Sequence, residues 1–371
     1  MVGPGFLYSG ESGYLAATAR LNALRQVLSE REIDAFFVTN LSNIRYLVGF
    51  TGTAGLLLIV PDEVVFFTDF RYDEQAHAEV AGSRIEVKKG TLLQAMARDD
   101  AARGIAKMAF EGADLKYASF EQLQELLPGR ELSSAVGIVE GLRLRKDEEE
   151  VRQIRAAVEL GDRVFGEICE LAKPGMTEIE IAAEIDCRMR RAGAQAPAFD
   201  TIVASGPRSS VPHAKPTRRR VSAGDFVVLD LGAYIDGYAS DLTRTLVVGS
   251  PSAEQQQIYA TVQRAQREAL EVVRSGITAA EADSTARALI DMEGYGDRFG
   301  HGLGHGVGLE VHEGPKLSQE SKDTLETGMV VTIEPGIYIP GWGGVRIEDM
   351  VVITDDGCEV LTRAPKDLIA I

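Results

Sequence analysis

The sequence predicts an α/β domain followed by an α+β domain built on an internal repeat. Three observations carry this reading. Up to Leu142, short β-rich apolar runs alternate with helical stretches. Beyond it, the pattern Gly-[Met/Ile]-Thr-x-x-Glu occurs at Thr177 and again at Thr278, 101 residues later, and a hairpin with two carboxylates follows each copy. A length of 371 residues also exceeds what one hydrophobic core usually supports.

In chain order, residues 1–14 read as a disordered lead-in and 15–142 as the α/β domain. A helix over Leu15–Glu30 precedes the strands IDAFFVTN, LVGF, GLLLIV and EVVFFTDF. Next come a helix from Arg71, the strand IEVKKG, a further helix, the strand AKMAFEG and the helix ASFEQLQELL. GFTGTAG, residues 49–55, lacks the lysine and spacing of a phosphate loop and reads as a tight turn. The second domain, 143–371, opens on the charged helix KDEEEVRQIRAAVELGDRVFGEICELA. In each repeat the threonine is an N-cap, and Glu180 or Glu281 closes a capping box. Two copies of helix plus hairpin imply a pseudo-twofold half-barrel.

Each hairpin aims two acids at one side. Asp236-Gly237 is a two-residue turn signal. It pairs Ile235 with Tyr238, Gly232 with Asp241 and Asp230 with Thr243, so Asp230 and Asp241 lie diagonally on one face. For the second hairpin, a loop over 340–344 pairs Ile339 with Val345 and Gly336 with Glu348. Glu348 is then diagonal to Glu334, and Tyr338 and Arg346 share the face. Between the hairpins, FGHGLGHGVGLEVHEG supplies His301, His305 and His312. With His213, these are four of only five histidines. Buried carboxylates cost several kcal/mol each without a compensating cation, so Asp230, Asp241, His305, Glu334 and Glu348 read as one two-metal site. A donor set without thiolate suits Mn, Co, Zn or Fe(II).

Composition narrows the classes further. Hydrophobic residues at 45% and charged residues at 26% fit an ordinary globular protein. A net charge of −17 argues against nucleic acid. The run Arg218-Arg219-Arg220 reads as a solvated loop. Three scattered cysteines form neither a disulfide framework nor a zinc motif and fit a cytoplasmic protein. No membrane span or signal peptide is legible.

The segments LDLGAYIDGYASDLTRT, HGLGHGVGLEVHE, EPGIYIP and GVRIEDM resemble those of the pita-bread metallopeptidases, specifically the Xaa-Pro peptidases (aminopeptidase P and prolidase). The resemblance covers nearly the whole chain. With GFTGTAG in a creatinase-like first domain, it is strongest for the short bacterial aminopeptidase P-like type. It implies two divalent ions, Mn²⁺ first, with Zn²⁺ or Co²⁺ as alternatives. Asp230 would chelate one ion, His305 and Glu334 the other, and Asp241 and Glu348 would bridge them. Glu334 would also serve as general base. His213 and His312 resemble substrate-side histidines, His301 a group that positions substrate or shuttles protons, and Tyr338 and Arg346 supports of the carboxylates. Prolidases often carry an arginine, able to pair with a dipeptide's carboxylate, where this chain has Lys316. That favours an Xaa-Pro aminopeptidase acting on longer proline peptides, with an Xaa-Pro dipeptidase as the alternative. A metal-free hydrolase or an inactive binding protein on the same fold fits less well, because no ligand position is lost. Relatives of this layout are commonly homodimers.

Overall fold

The computed structural model describes residues 11–371. Residues 1–10 of the expected lead-in lie outside them, and helix α1 already begins at Glu11, ahead of the expected Leu15. The chain divides into two compact units, Met1–Arg143 and Leu144–Ile371.

The first unit is a mixed six-stranded sheet flanked by helices. Its elements are α1 (Glu11–Glu30), β1 (Ala35–Val38), α2 (Leu41–Val48), β2 (Leu56–Ile59), β3 (Val64–Asp69) and α3 (Asp73–Glu79). They continue through β4 (Arg84–Lys88), α4 (Leu92–Arg98), β5 (Lys107–Glu111), α5 (Tyr117–Leu126), β6 (Glu131–Ala135) and α6 (Ile138–Arg143). The strand order is β4-β3-β2-β1-β5-β6. LVGF, expected as a strand, instead ends helix α2. Asn40 caps that helix by accepting from Asn43 N, and Gly49 closes it at φ 88°. The local cap outweighed the β-rich composition of four residues. The polar strand β6 carries no apolar signal, and α6, although Ile138 and Val139 are buried, is only six residues long; neither is expected from the sequence.

The second unit contains the repeat. Its first half holds α7 (Glu148–Leu171), α8 (Glu178–Arg191), β7 (Ala196–Pro197), β8 (Ile202–Ser205), β9 (Phe226–Leu231), β10 (Ala233–Ile235), β11 (Tyr238–Ala239) and β12 (Leu242–Val247). Its second half holds α9 (Ala253–Val272), α10 (Ala279–Met292), β13 (Gly304–Gly306), β14 (Glu313–Leu317), β15 (Val330–Ile333), β16 (Gly336–Ile339), β17 (Gly343–Arg346), β18 (Asp349–Ile353) and β19 (Cys358–Val360). Both predicted capping boxes form, at Thr177/Glu180 and Thr278/Glu281. The segment before each is stapled alike, Gly175 N donating to Val221 O and Gly276 N to Leu325 O. This is the pita-bread architecture: a helix pair backs a curved sheet in each half.

Period two in the strands puts the chemistry on the inner side. In β9, Val227, Leu229 and Leu231 pack with Val164, Ile168, Ile181 and Ile185 of α7 and α8, which turns the alternate residue Asp230 away from the helices. In β15, Val331 and Ile333 pack with Ile258 and Val262 of α9 and with Ala286 and Ile290 of α10, so Thr332 and Glu334 face the other way. Each fully buried Val, Leu or Ile contributes about 1.5–3 kcal/mol. A slip of one residue would therefore expose the apolar set along with displacing the acids.

The first hairpin holds the predicted register. Asp236 and Gly237 turn at φ 45° and 78°, Ile235 pairs with Tyr238 and Asp230 with Thr243. The second is tighter by two residues than expected: Ile339 pairs with Gly343 and Ile337 with Val345. Gly343 and Gly344, read as loop residues, belong to a strand. A Cβ on Gly344 would meet Ser209 O at 2.4 Å, so the glycine admits a neighbouring backbone instead of making a turn. The corrected register puts Glu348 directly opposite Glu334, between the pairs Ile333–Asp349 and Gly336–Arg346. A shift of two preserves faces, so the acids still converge.

Arg218-Arg219-Arg220 is only partly a solvated run. Arg219 makes a forked pair with Asp225 at 2.6 and 2.9 Å, and Arg220 donates to Gly175 O.

Candidate metal centre

Five side chains from five places in the second unit meet at one point. Asp230 lies in β9, Asp241 precedes β12, His305 sits in β13, Glu334 follows β15, and Glu348 precedes β18. Oxygens of Asp230, Asp241 and Glu348 lie within 4.8 Å of one another. His305 Nε2 is 3.3 Å from Glu334 Oε1 and 3.6 Å from Asp241 Oδ2. Asp230, Asp241 and Glu348 are buried.

The groups around them fix direction and leave donors open. His305 Nδ1 donates to Gly306 O at 3.0 Å, which leaves Nε2 as the lone-pair nitrogen facing the acids. Burial holds its pKa below the usual imidazole value, favouring the neutral ligand form. Thr332 Oγ1 accepts from His305 N and donates to Glu334. Thr243 Oγ1 donates to Glu348 Oε2 at 2.7 Å and accepts from Arg346 Nε. Even so, Asp230 Oδ1 and Glu348 Oε1 are buried without any hydrogen-bond partner.

Charge makes the same point. Arg346 pairs with Asp230 at 2.5 Å and lies 4.0 Å from Glu334. One guanidinium cannot balance four carboxylates. Burial, reinforced by Glu348, Asp230 and Glu334, raises Asp241 well above the normal carboxyl range. Burial, then Glu334 and Asp230, does the same to Glu348. Burial pushes Glu334 up to about 7. Orphaned oxygens, an open imidazole nitrogen and excess negative charge are what divalent cations relieve. The five residues fit a metal centre, and an ion there would polarise a carbonyl and acidify a water.

The remaining predicted residues divide into two groups. His213 and His312 line a cavity of about 390 Å³ that the five converging side chains also line, and the His312 ring stands 4.3 Å from that of His305. His301 also lines it, but both its nitrogens are engaged. Nδ1 is 2.7 Å from Gly302 O, and Nε2 is 2.9 Å from the Tyr338 hydroxyl. Arg346 donates to that same hydroxyl. The order Arg346 to Tyr338 to His301 to Gly302 uses every donor and keeps His301 neutral, and burial lowers its pKa to about 4. In this arrangement His301 is a fixed strut, not a free proton shuttle. Tyr338 lies behind the cavity wall. Lys316 is exposed, opposite His305 on the neighbouring strand, and does not line the cavity.

Sequence reasoning missed four contributors. Thr243 and Thr332 had a usable signal: one pairs with Asp230 and the other precedes Glu334 by two on the same face. Arg244 had none. It is buried on the far side of β12, where all five of its N–H groups are spent. They reach the carbonyls of Thr243, Glu348, Ala364 and Pro365 and the Asp349 carboxylate, so the guanidinium fixes the backbone of Glu348. Lys215, on the cavity wall, is the fourth.

Fold and donor set together define a pita-bread metallohydrolase. The model of metallopeptidase family M24 matches residues 152–355, and that of the creatinase/prolidase N-terminal domain matches 20–145. The chain belongs to metallopeptidase family M24. It is 41% identical to an Xaa-Pro dipeptidase of Pyrococcus furiosus, over 94% of this chain and 99% of that one. The structure of an Xaa-Pro dipeptidase from Bacillus anthracis superposes with a TM-score of 0.93 at 43% identity, covering 96% of this chain and all of the other. An X-Pro aminopeptidase from Thermotoga maritima gives 0.85 at 39% identity, covering 92% and 99%. Among the described residues no helix is long and apolar enough to cross a membrane.

Proposed function

We propose that this protein is a two-metal Xaa-Pro dipeptidase that splits the bond before proline in dipeptides. The observation that carries it is a five-donor metal centre lining a cavity of about 390 Å³. That is near the small end of the roughly 300–1,000 Å³ range of small-ligand sites. It suits two residues better than an extended chain. The relatives named as Xaa-Pro dipeptidases support this over the aminopeptidase reading that Lys316 suggested from sequence.

Each residue then has a task. Asp230, Asp241, His305, Glu334 and Glu348 hold the ions, with Mn²⁺ the first candidate. Glu334, whose pKa burial brings near neutrality, takes the proton of the attacking water. His213 and His312, on the wall beside the ligands, donate to the oxygen of the scissile carbonyl. The Arg346–Tyr338–His301 strut keeps the Asp230 side of the site in place. The proposal extends to a cytoplasmic homodimer, for which a strictly monomeric light-scattering mass would count against the assembly.

The direct test is product analysis on metal-stripped protein reloaded with Mn²⁺ and given Ala-Pro, Ala-Pro-Ala and Ala-Ala-Ala. Metal-dependent cleavage confined to Ala-Pro is expected. Release of Ala from Ala-Pro-Ala would establish the aminopeptidase reading, which the Thermotoga maritima neighbour keeps in view. No cleavage of any peptide would overturn the peptidase assignment.

A further inference from the structure

We propose that Asp283 and Arg287, an ion pair on α10, are positioning residues of the metal centre. Acting through the backbone of residues 299–303, they set Glu334 and, by way of His301 and Tyr338, Asp230. The kinetic side of this inference rests on the dipeptidase reading above and deepens it.

The pair begins as a local feature of the helix. Asp283 and Arg287 are four residues apart, so they share a face, and an acid N-terminal to a base is the favourable order. The Asp283 side chain is fully buried and that of Arg287 is 18% exposed. The guanidinium meets the carboxylate as a fork, Nε to Oδ2 at 2.8 Å and Nη2 to Oδ1 at 2.9 Å. The helix has its own anchor, since Ala282, Ala286, Leu289 and Ile290 pack in the core. The pair is therefore free to hold something else.

What it holds is the segment that carries His301. Arg287 donates to Phe299 O from Nη1 and to His301 O from Nη2, both at 2.7 Å. Asp283 Oδ1 accepts from Leu303 N at 2.9 Å. Two side chains thus fasten three alternate residues of one short stretch. The guanidinium also stands 4.2 Å over the Phe299 ring, and that ring meets His301 edge-on at 5.1 Å.

Two routes lead from this segment to the metal ligands. Leu303, fixed at its amide by Asp283, accepts at its carbonyl from Glu334 N at 2.8 Å. His301 Nε2 holds the Tyr338 hydroxyl, which accepts from Arg346, the partner of Asp230. Thr332 and Arg346 act on ligand side chains directly, whereas Asp283 and Arg287 act on the backbone behind them. Neither of the two lines the cavity.

The test separates metal affinity from turnover and from stability. Mn²⁺ affinity is measured by calorimetry, the melting temperature on metal-free protein, and kcat and KM on Ala-Pro at saturating Mn²⁺. Arg287→Lys keeps the charge but loses the fork, and Asp283→Ala removes the acceptor of Leu303 N. Each is expected to weaken Mn²⁺ binding about 10–100-fold and to lower kcat by a similar factor. KM should hardly move, because no contact on the cavity wall is lost. Asp283→Asn keeps an acceptor for Leu303 N and is expected to recover most of the affinity. Glu293→Gln breaks an ion pair to Arg264 just past the end of the same helix and is expected to leave affinity and kcat unchanged. A lower melting temperature in Arg287→Lys, with Mn²⁺ affinity and kcat as in wild type, would overturn the inference and reduce the pair to a fold contact. Should Asp283→Ala not fold, Arg287→Lys and Asp283→Asn decide. Weakened Mn²⁺ binding in the variants, with no proline peptide cleaved by wild type, keeps the positioning role and removes the peptidase reading. Hydrolysis by wild type, with affinity and kcat unaltered in Arg287→Lys, does the reverse.

Discussion

Glu178 at the start of α8 and Glu348 at the metal centre are the same residue type, both essentially excluded from water, yet they differ in every other respect. Glu178 accepts from Ser205 N and Oγ, Thr217 N and Oγ1, and the Arg208 guanidinium. Those bonds outweigh its burial and hold its pKa below the usual value. Glu348 accepts only from Thr243, keeps one oxygen unpartnered, and faces three other acids. Its immediate neighbour Asp349 is equally buried but is satisfied by Arg244, Gln266 and Lys366. Burial alone does not mark a functional carboxylate. The mark is burial without protein donors, which leaves the deficit for a cation to fill.

The contrast breaks most visibly at Glu348 itself. Glu348→Gln should lower hydrolysis by about 10³-fold or more, since a metal's polarising charge is worth several kcal/mol and each tenfold corresponds to about 1.4 kcal/mol. The same variant should be more stable than wild type when both are stripped of metal, because it removes a buried charge that nothing balances. Thermal unfolding with and without chelator checks this, and a destabilised metal-free variant would contradict the electrostatic account. Glu178→Ala should do the opposite. It should cost about 3–5 kcal/mol in urea unfolding whether or not metal is present, because it leaves a buried network without its acceptor.

A subtler variant tests whether the satisfied neighbours serve the unsatisfied ones. Arg244→Lys offers three donors where five acceptors wait, so the backbone of Glu348 loses its anchor. Metal affinity by calorimetry should weaken about 10–100-fold with little change in fold. The smallest expected effect is in pH. Glu334 binds its proton more tightly folded than unfolded, between its normal 4.5 and about 7. Metal-free protein should therefore lose stability as the pH rises through that window. Glu178, shifted the other way, contributes stability above 4.5 that is lost as the pH falls. Urea midpoints across pH, with and without Mn²⁺, separate the two, and loading should remove the loss near neutral pH.

The inward facing of the four acids, the capping boxes and the first hairpin were legible in the sequence because each rests on short-range rules. Period two aims alternate residues, Asp236-Gly237 fixes a turn, and Thr-x-x-Glu closes a helix start. The second hairpin was misread by two residues because its glycines accommodate Ser209, a contact 135 residues away in the chain. LVGF departs from the strand its composition suggests because Asn40, the cap directly before Leu41, starts a helix that runs on through Val48. Tertiary structure alone decided that His301 is locked by Tyr338, that Lys316 stands off the cavity while Lys215 lines it, and that Arg244 holds Glu348 from behind. These are distances between segments far apart in sequence, and no periodicity encodes them. The sequence by itself determined which side chains face inward. Packing of the two halves decided which of those are satisfied, and the ones left unsatisfied form the site.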